Sequence, residues 1–199
     1  MKDAEIIKFM KKHYGYARTT DLLREGISFR DLKKLLGQER IEQVKKGLYR
    51  LKDEDRTPIH DFVDACLAIP KAVVCLYSAL SHYELTTFMP TEIMIAIPQE
   101  YHPPKIAYPP LRVFYFSKKQ YEVGIETVTT KEGIYRIYSP EKSVCDAFRF
   151  RRKLGDDTAK EALFTYLEKN DKDLKKLLDC AEVCRMGKIM KPYIEARIE

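Results

Sequence analysis

The stretch TTDLLREGISFRDLKKLLG (residues 19–37) is the most informative about the structure of the first quarter of the chain. Thr19 has the residue type of a helix N-cap, and Gly26 is suited to closing the short helix that would follow it. Ser28 is a second candidate N-cap, with Asp31 at the N3 position of a capping box. Helix, glycine-containing turn and helix is the spacing of a helix-turn-helix motif.

The second helix of this motif is predicted to be amphipathic. Its apolar residues recur at helical spacing, and we expect burial of Phe29, Leu32, Leu35 and Leu36. Its other face carries three cations, which are Arg30, Lys33 and Lys34. Arginine and lysine can reach both phosphates and the guanine acceptors of the major groove, so this pattern is typical of a recognition helix.

The segments on either side complete a winged helix-turn-helix. Upstream, residues 3–13 predict a helix that ends before Gly15. Downstream, residues 41–51 alternate like two strands that turn at Lys46-Gly47, which predicts a wing. We therefore expect residues 1–56 to form a DNA-binding domain, with contacts from Arg18, Thr19, Thr20, Ser28, Arg30, Lys33, Lys34, Lys45, Lys46 and Arg50.

Charge is distributed unevenly along the chain. Residues 1–56 contain 15 Lys and Arg against 10 Asp and Glu, whereas residues 57–199 contain 21 against 20. A positive excess confined to one segment is typical of a phosphate-binding module. A solvated lysine-rich surface on a small helical packing unit with a hairpin would give the same count, so this alternative stays open.

The rest of the chain predicts a mixed α/β domain over residues 57–199. A polar stretch at 52–58 marks the boundary, and a helix follows from His60 to Ile69. Ser78 is a candidate cap for the next helix. Strands are expected at 93–97, 111–116, 125–130 and 134–138, and helices from Ser139 onward, with Pro140 at N1. The predicted fold class is α+β or α/β.

Four segments resemble the AbiEi-type antitoxins of type IV toxin–antitoxin systems. They are the N-terminal module ending in KGLYR (46–50), and then SALSHYELT (78–86), EIMIAIP (92–98) and SPEKSVCD (139–146). In that family Lys-Thr often stands where this chain has Lys142-Ser143. The resemblance implies a winged helix that represses its own operon, joined to a C-terminal antitoxin domain.

The resemblance also implies the partners. The functional partner would be a nucleotidyltransferase-like toxin encoded nearby, countered without a stable complex, and the ligand would be double-stranded DNA of the chain's own promoter. A winged helix reading an inverted repeat would place two copies on one site, either as a dimer or as monomers that pair on DNA. We expect a cytoplasmic protein without membrane contact, because no long apolar stretch is present.

Motifs for catalysis or cofactor binding are weak. There is no GxGxxG or Walker sequence, and five cysteines without a CxxC pair favour neither disulfides nor zinc. We therefore expect no catalytic residue, cofactor or metal. His82 with Glu84 is more typical of a structural pair than of an acid–base site, Lys142 and Asp146 are more typical of an intrahelical ion pair, and the basic run at 149–153 could also contact nucleic acid.

Two further functions remain open from sequence. One is a nucleic-acid-acting enzyme, a nuclease or a transferase, that would use Glu92, Glu141, Lys142 and Asp146. The other is a transcription regulator whose second domain senses a ligand or dimerises.

Overall fold

The computed structural model describes residues 2–52 and 56–198. We call 2–52 the N-terminal module and 56–198 the C-terminal module. The N-terminal module runs α1 (Lys2–Lys12), β1 (Tyr16–Arg18), α2 (Thr19–Arg24), α3 (Phe29–Gly37), β2 (Ile41–Lys45) and β3 (Leu48–Leu51). Its antiparallel sheet has the order β1-β3-β2, so the hairpin β2-β3 is the wing of a winged helix.

The start of α3 follows the prediction closely. Ser28 is the N-cap, and its side chain and that of Asp31 complete the capping box. Ile27 and Leu32 lie in the same buried cluster, as expected of a hydrophobic staple around the cap. Phe29, however, is 57% exposed, so its expected burial is wrong. Ile27, immediately before the cap, occupies the core in its place.

Helix α2 and the wing turn are joined by their backbones. Gly47 takes φ of +80° at the predicted turn, a conformation that glycine adopts readily. Its carbonyl accepts from the N–H of Thr19 at 3.0 Å. Thr19 is therefore the first residue of α2 rather than its cap, and Arg18, at the end of β1, holds the N-cap position without a side-chain cap bond.

The C-terminal module contains a mixed sheet with helices packed on it. Its elements are α4 (Pro58–Ala68), β4 (Val73–Val74), α5 (Leu76–His82), β5 (Ile93–Pro98), β6 (Leu111–Phe116), α6 (Lys118–Glu122), β7 (Ile125–Thr130), β8 (Gly133–Tyr138), α7 (Pro140–Arg149), α8 (Arg151–Leu154), α9 (Asp156–Glu168), α10 (Leu174–Val183) and α11 (Gly187–Ile198). The strand order is β6-β5-β4-β8-β7. Pairs β5/β6 and β4/β8 are parallel and the others antiparallel, which agrees with the expected mixed class.

Several boundaries differ from the sequence-based expectation. Helix α5 begins at Leu76, so Ser78 is not its cap. Ser78 is instead buried, and its Oγ accepts from the N–H of Met94 at 2.9 Å, which ties α5 to β5. The short helices α6 and α8 were not predicted. Of the predicted boundary at 52–58, residues 53–55 lie outside the described part of the chain.

The two modules share one apolar cluster. Tyr16 and Leu48 from the small sheet pack in it with Phe62 and Val63 of α4. The back of the wing therefore rests on the first helix of the C-terminal module. None of the helices within residues 2–52 and 56–198 combines the length and the apolar character that a membrane span requires.

Candidate nucleic-acid interface

The outer face of α3 presents unpaired cations. Arg30 and Lys33 are exposed, and neither forms an ion pair with a residue that the structure describes. They lie three positions apart, so they stand on one side of the helix. The exposed ring of Phe29 begins the same helix beside Arg30. This face combines free positive charge with one apolar side chain.

Lys34 has a more restricted position. Its Nζ lies 2.8 Å from Oδ2 of Asp3 on α1, and its side chain is 56% exposed. An exposed pair of this kind is worth little in stability, and it is screened by salt. Lys34 can therefore exchange Asp3 for a phosphate, but it belongs to the side of α3 that faces α1.

The wing and the end of β1 bring three further cations together. Lys46, at the wing turn, is exposed and has no ion-pair partner among the described residues. Partial burial, with Arg18 nearby, lowers the pKa of Lys45. Arg18 itself donates from Nη2 to the carbonyl oxygen of Leu67 at 3.2 Å. Lys46 is thus the most exposed cation of this group.

The hydroxyl residues at the helix starts differ in availability. Thr20 is exposed in the first turn of α2, and Thr19 is half-buried beside the wing turn. Ser28 Oγ donates to Oδ2 of Asp31 at 2.6 Å and accepts from the backbone of Asp31. The hydroxyl of Ser28 therefore serves the cap that begins α3.

Arg50 does not lie on the surface where the alternation of β3 suggested. Its residue is 9% exposed, and its Nη2 lies 2.7 Å from Oε2 of Glu42. Its Nη1 bonds to Asp64 on α4. Because two carboxylates of its own chain hold this guanidinium, we leave Arg50 out of the interface. The periodicity of the strand could not show that α4 covers this position.

Sequence reasoning missed two features of this surface, which are the exposure of Phe29 and the short strand β1 that ends at Arg18. The sequence predicts burial of Phe29 because this residue is apolar and lies three positions before Leu32. Its place at N1, directly after a cap, was the signal that it could lie outside. An exposed apolar side chain beside cations can contact the thymine methyl group in the major groove.

Three of the four residues proposed for the enzyme alternative lie in the interior. Lys142 and Asp146 on α7 are each 0% exposed and pair at i, i+4, as the intrahelical alternative predicted. The Nζ of Lys142 also lies 4.2 Å from the centre of the Tyr138 ring. Burial raises the pKa of Asp146, against the opposing effect of Lys142. A pair enclosed in this way has no access to a polymeric substrate.

Glu141 and Glu92 do not join this pair at a surface site. Glu141 is buried, and its carboxylate accepts from the hydroxyl of Tyr166 at 2.9 Å and pairs with Lys176 at 3.0 Å. Glu92 is exposed before β5. The four residues are therefore divided between the core and a loop.

His82 and Glu84 also have separate surroundings. Burial lowers the pKa of His82, whose ring contacts the aromatic rings of Phe62 and Tyr135. Glu84 is exposed and has φ of +56°. All five cysteines are free thiols, and no group of three or more His, Cys, Asp or Glu within 2–52 and 56–198 could hold a metal ion.

Comparison with known proteins finds a similarity in the N-terminal module. Residues 5–52, about a quarter of the chain, match a family model described as "Transcriptional regulator, AbiEi antitoxin". No curated protein matches the chain. The matched segment contains α1, the helix-turn-helix and the wing, and it ends just after the KGLYR motif. Residues 5–52 are thus similar to the AbiEi-type transcriptional regulators, and over this segment the resemblance read from the sequence is confirmed.

Proposed function

We propose that the protein binds double-stranded DNA of its own promoter, represses its operon and counters a nucleotidyltransferase-like toxin encoded nearby. Residues 1–56 would be the DNA-binding domain and residues 57–199 the antitoxin domain of a cytoplasmic protein. The observation that carries the DNA half is the unpaired pair Arg30 and Lys33 on the outer face of a winged-helix α3.

In this proposal the contacts divide into two classes. Arg30, Lys33 and Phe29 would enter the major groove and read base edges. Lys46, Lys34 and Thr20 would contact phosphates on either side. Arg18, Lys45 and Thr19 would support the joint between α2 and the wing, and Ser28 would fix the start of α3.

The antitoxin half is supported by the matched family and by the folded elements that the C-terminal module adds beyond the matched segment. That module has its own mixed sheet and its own apolar clusters, so it can have a task beyond DNA binding. We propose that it counters the toxin without a stable complex. Two copies would occupy an inverted repeat, as a dimer or by pairing on the DNA.

The DNA half is tested by fluorescence anisotropy with the chain's own upstream DNA and a scrambled duplex at several salt concentrations. We expect selective binding of the upstream DNA. The logarithm of its association constant should fall linearly with the logarithm of the salt concentration. Changing Arg30 to Ala should weaken specific binding by about 10- to 100-fold, since a bidentate arginine–guanine contact is worth about 1–3 kcal/mol. Changing Lys46 to Ala should weaken binding to both duplexes equally.

Changing Lys175 to Ala, at an exposed site in the C-terminal module, is the matched control for the loss of one positive charge. This variant should bind specific DNA like the wild type. Equal weak binding of both duplexes, unchanged by Arg30→Ala, would contradict the DNA half.

The antitoxin half is tested by growth. Co-expression with the neighbouring gene should restore growth that this gene alone arrests, and Arg30→Ala should retain the rescue if the two tasks belong to different modules. Absence of rescue by the wild type at confirmed expression would contradict the antitoxin half, whatever the DNA result.

The enzyme alternative receives no comparable support. Its Lys142–Asp146 pair is enclosed by the core, and Glu92 stands apart from it in an exposed loop. The matched family is also one of regulators. Metal-dependent cleavage or nucleotide incorporation by the pure protein would reopen this alternative.

A further inference from the structure

A cavity lies between the two modules, away from the outer face of α3. Its volume is about 180 Å³, and its walls come from α1, β1, α2 and β3 on one side and from α4 and β8 on the other. An engineered apolar cavity of roughly 150 Å³ is large enough to bind benzene. The space therefore suits a molecule of one or two fused rings.

One wall of the cavity is an aromatic shelf. The rings of Phe9 and His13 stack with their centres 4.3 Å apart. Tyr14 follows them and also lines the cavity. Tyr14 has φ of +56°, a region that non-glycine residues seldom adopt, yet its side chain is 45% exposed rather than packed in a core. The shelf thus offers ring faces that the fold leaves partly uncovered.

The opposite wall is aliphatic. Leu67 of α4 and Ile134 of β8 line it, and Ile134 is 44% exposed. A flat molecule between these side chains and the shelf would be covered on both faces. A planar ring fits this space better than a branched aliphatic one, because aromatic rings stack in offset or edge-to-face contacts.

The rim supplies hydrogen-bond acceptors. The Nδ1 of His13 lies 2.8 Å from the carbonyl oxygen of Phe9, which can only accept, so Nδ1 carries the proton. Nε2, the other ring nitrogen, is then the atom of His13 that can accept a hydrogen bond. Asp21, a carboxylate, also lines the cavity. A ligand with an N–H donor would satisfy one of these acceptors.

We propose that this cavity binds a small planar heteroaromatic molecule of indole or purine size that donates a hydrogen bond to His13 or Asp21. It is lined by both modules, so the occupant would contact both at once. This assigns to the chain the small-molecule site that a ligand-sensing regulator requires.

The test is a titration of the full chain with indole, with adenine as a competitor and benzene as a probe without a donor. The chain contains no tryptophan, so the fluorescence of added indole can be followed selectively. We expect a saturable change that adenine reverses. Indole at ten times its dissociation constant should raise the Tm by about 3–6 °C.

Two variants identify the site. Changing His13 to Phe keeps a ring in the shelf but removes its hydrogen-bond acceptor, so it should weaken indole binding by about 3- to 10-fold and leave benzene binding unchanged. Its control is His102→Phe, at another exposed histidine. Changing Ile134 to Phe should narrow the cavity and weaken the binding of both indole and benzene. Leu178→Phe, at a site 53% exposed, should leave the binding of both unchanged.

No saturable binding of indole, adenine or benzene would overturn the proposal. Binding of indole that His13→Phe and Ile134→Phe leave unchanged would overturn it as well, since the ligand would then lie elsewhere. Because the titration contains no DNA, its result is independent of whether α3 reads an operator.

Discussion

Arg50 on strand β3 donates a hydrogen bond from Nη1 to Oδ2 of Asp64 on helix α4, across the junction of the two modules. Asp64 is fully buried, and Arg56 also bonds to it at 2.9 Å. The ring of Tyr108 lies 5.6 Å from one guanidinium and 5.7 Å from the other. One buried carboxylate therefore serves two arginines and ties the wing to the C-terminal module.

Changing Asp64 to Ala should lower the free energy of unfolding by about 1.5–3 kcal/mol, because Arg50 and Arg56 each lose a charged hydrogen-bond partner while Arg50 keeps Glu42. Urea denaturation measures the loss. The matched control is Asp61→Ala, which removes a partner of Arg56 whose side chain is 21% exposed, and its effect should be much smaller. Equal losses of unfolding free energy in the two variants would show that the buried carboxylate stabilises the fold no more than the partly exposed one.

Gly124 and Gly26 allow backbone strain to be separated from crowding. Both have positive φ, +71° and +74°. A Cβ at Gly124 would lie 2.6 Å from Cβ of Lys142, whereas one at Gly26 would meet nothing within 4 Å. We expect Gly26→Ala to cost about 1 kcal/mol and Gly124→Ala about 2–4 kcal/mol, measured by urea denaturation. A loss at Gly124 no larger than that at Gly26 would mean that α7 moves aside freely.

Contacts between residues close in the sequence were predictable, whereas burial by elements distant in the sequence was not. The capping box at Ser28, the turn at Gly47 and the pairing of Lys142 with Asp146 all depend on residues within four positions of one another. Such contacts are fixed by helix and turn geometry, so the residue types alone indicate them.

The position of Arg50 shows where that reasoning fails. The alternation of residues in β3 indicates on which face of the strand Arg50 lies. Only the packing of α4 determines that this face is buried. Phe29 shows the converse, because the staple residue Ile27 filled the core and left the larger ring outside. The sequence thus predicted which helix and hairpin form the candidate interface. Tertiary contacts determine which of their side chains are exposed there.

The Lys142–Asp146 pair should be replaceable as a unit but not singly. Changing Lys142 to Met should cost about 3–5 kcal/mol, because Asp146 keeps a buried charge without its partner. The double change Lys142→Met with Asp146→Leu should recover most of that loss, as hydrophobic replacements of buried pairs often do. Urea denaturation of both single variants and the double variant gives the coupling energy. A double variant with a lower free energy of unfolding than either single variant would contradict this expectation.

Glu141 should make stability depend on acid pH. Burial alone would raise its pKa, but hydrogen bonds with Ser139 and Lys176 outweigh burial and lower it from 4.5. Its contribution is therefore present above about pH 4.5 and is lost as pH falls through the lower pKa of the folded state. Changing Glu141 to Gln should flatten this part of the profile, and Glu182→Gln, at an exposed site, should leave it intact. Unfolding free energies measured at several pH values from 6 downward to about 3 test both. Parallel profiles for Glu141→Gln and the wild type would assign the pH dependence to other groups.

Ser28 should act on DNA binding through the start of α3 rather than by contact. Its Oγ is occupied by Asp31, so Ser28→Ala should cost about 1 kcal/mol in stability and also weaken specific DNA binding, because the helix that carries Arg30 loses its cap. Asparagine is an equally good N-cap and should preserve both properties. Urea denaturation and anisotropy on the same preparations distinguish the two roles. If Ser28→Asn keeps its stability but loses affinity as Ser28→Ala does, the hydroxyl itself contacts the DNA, and Ser28 then belongs with Arg30 and Lys33 in the interface.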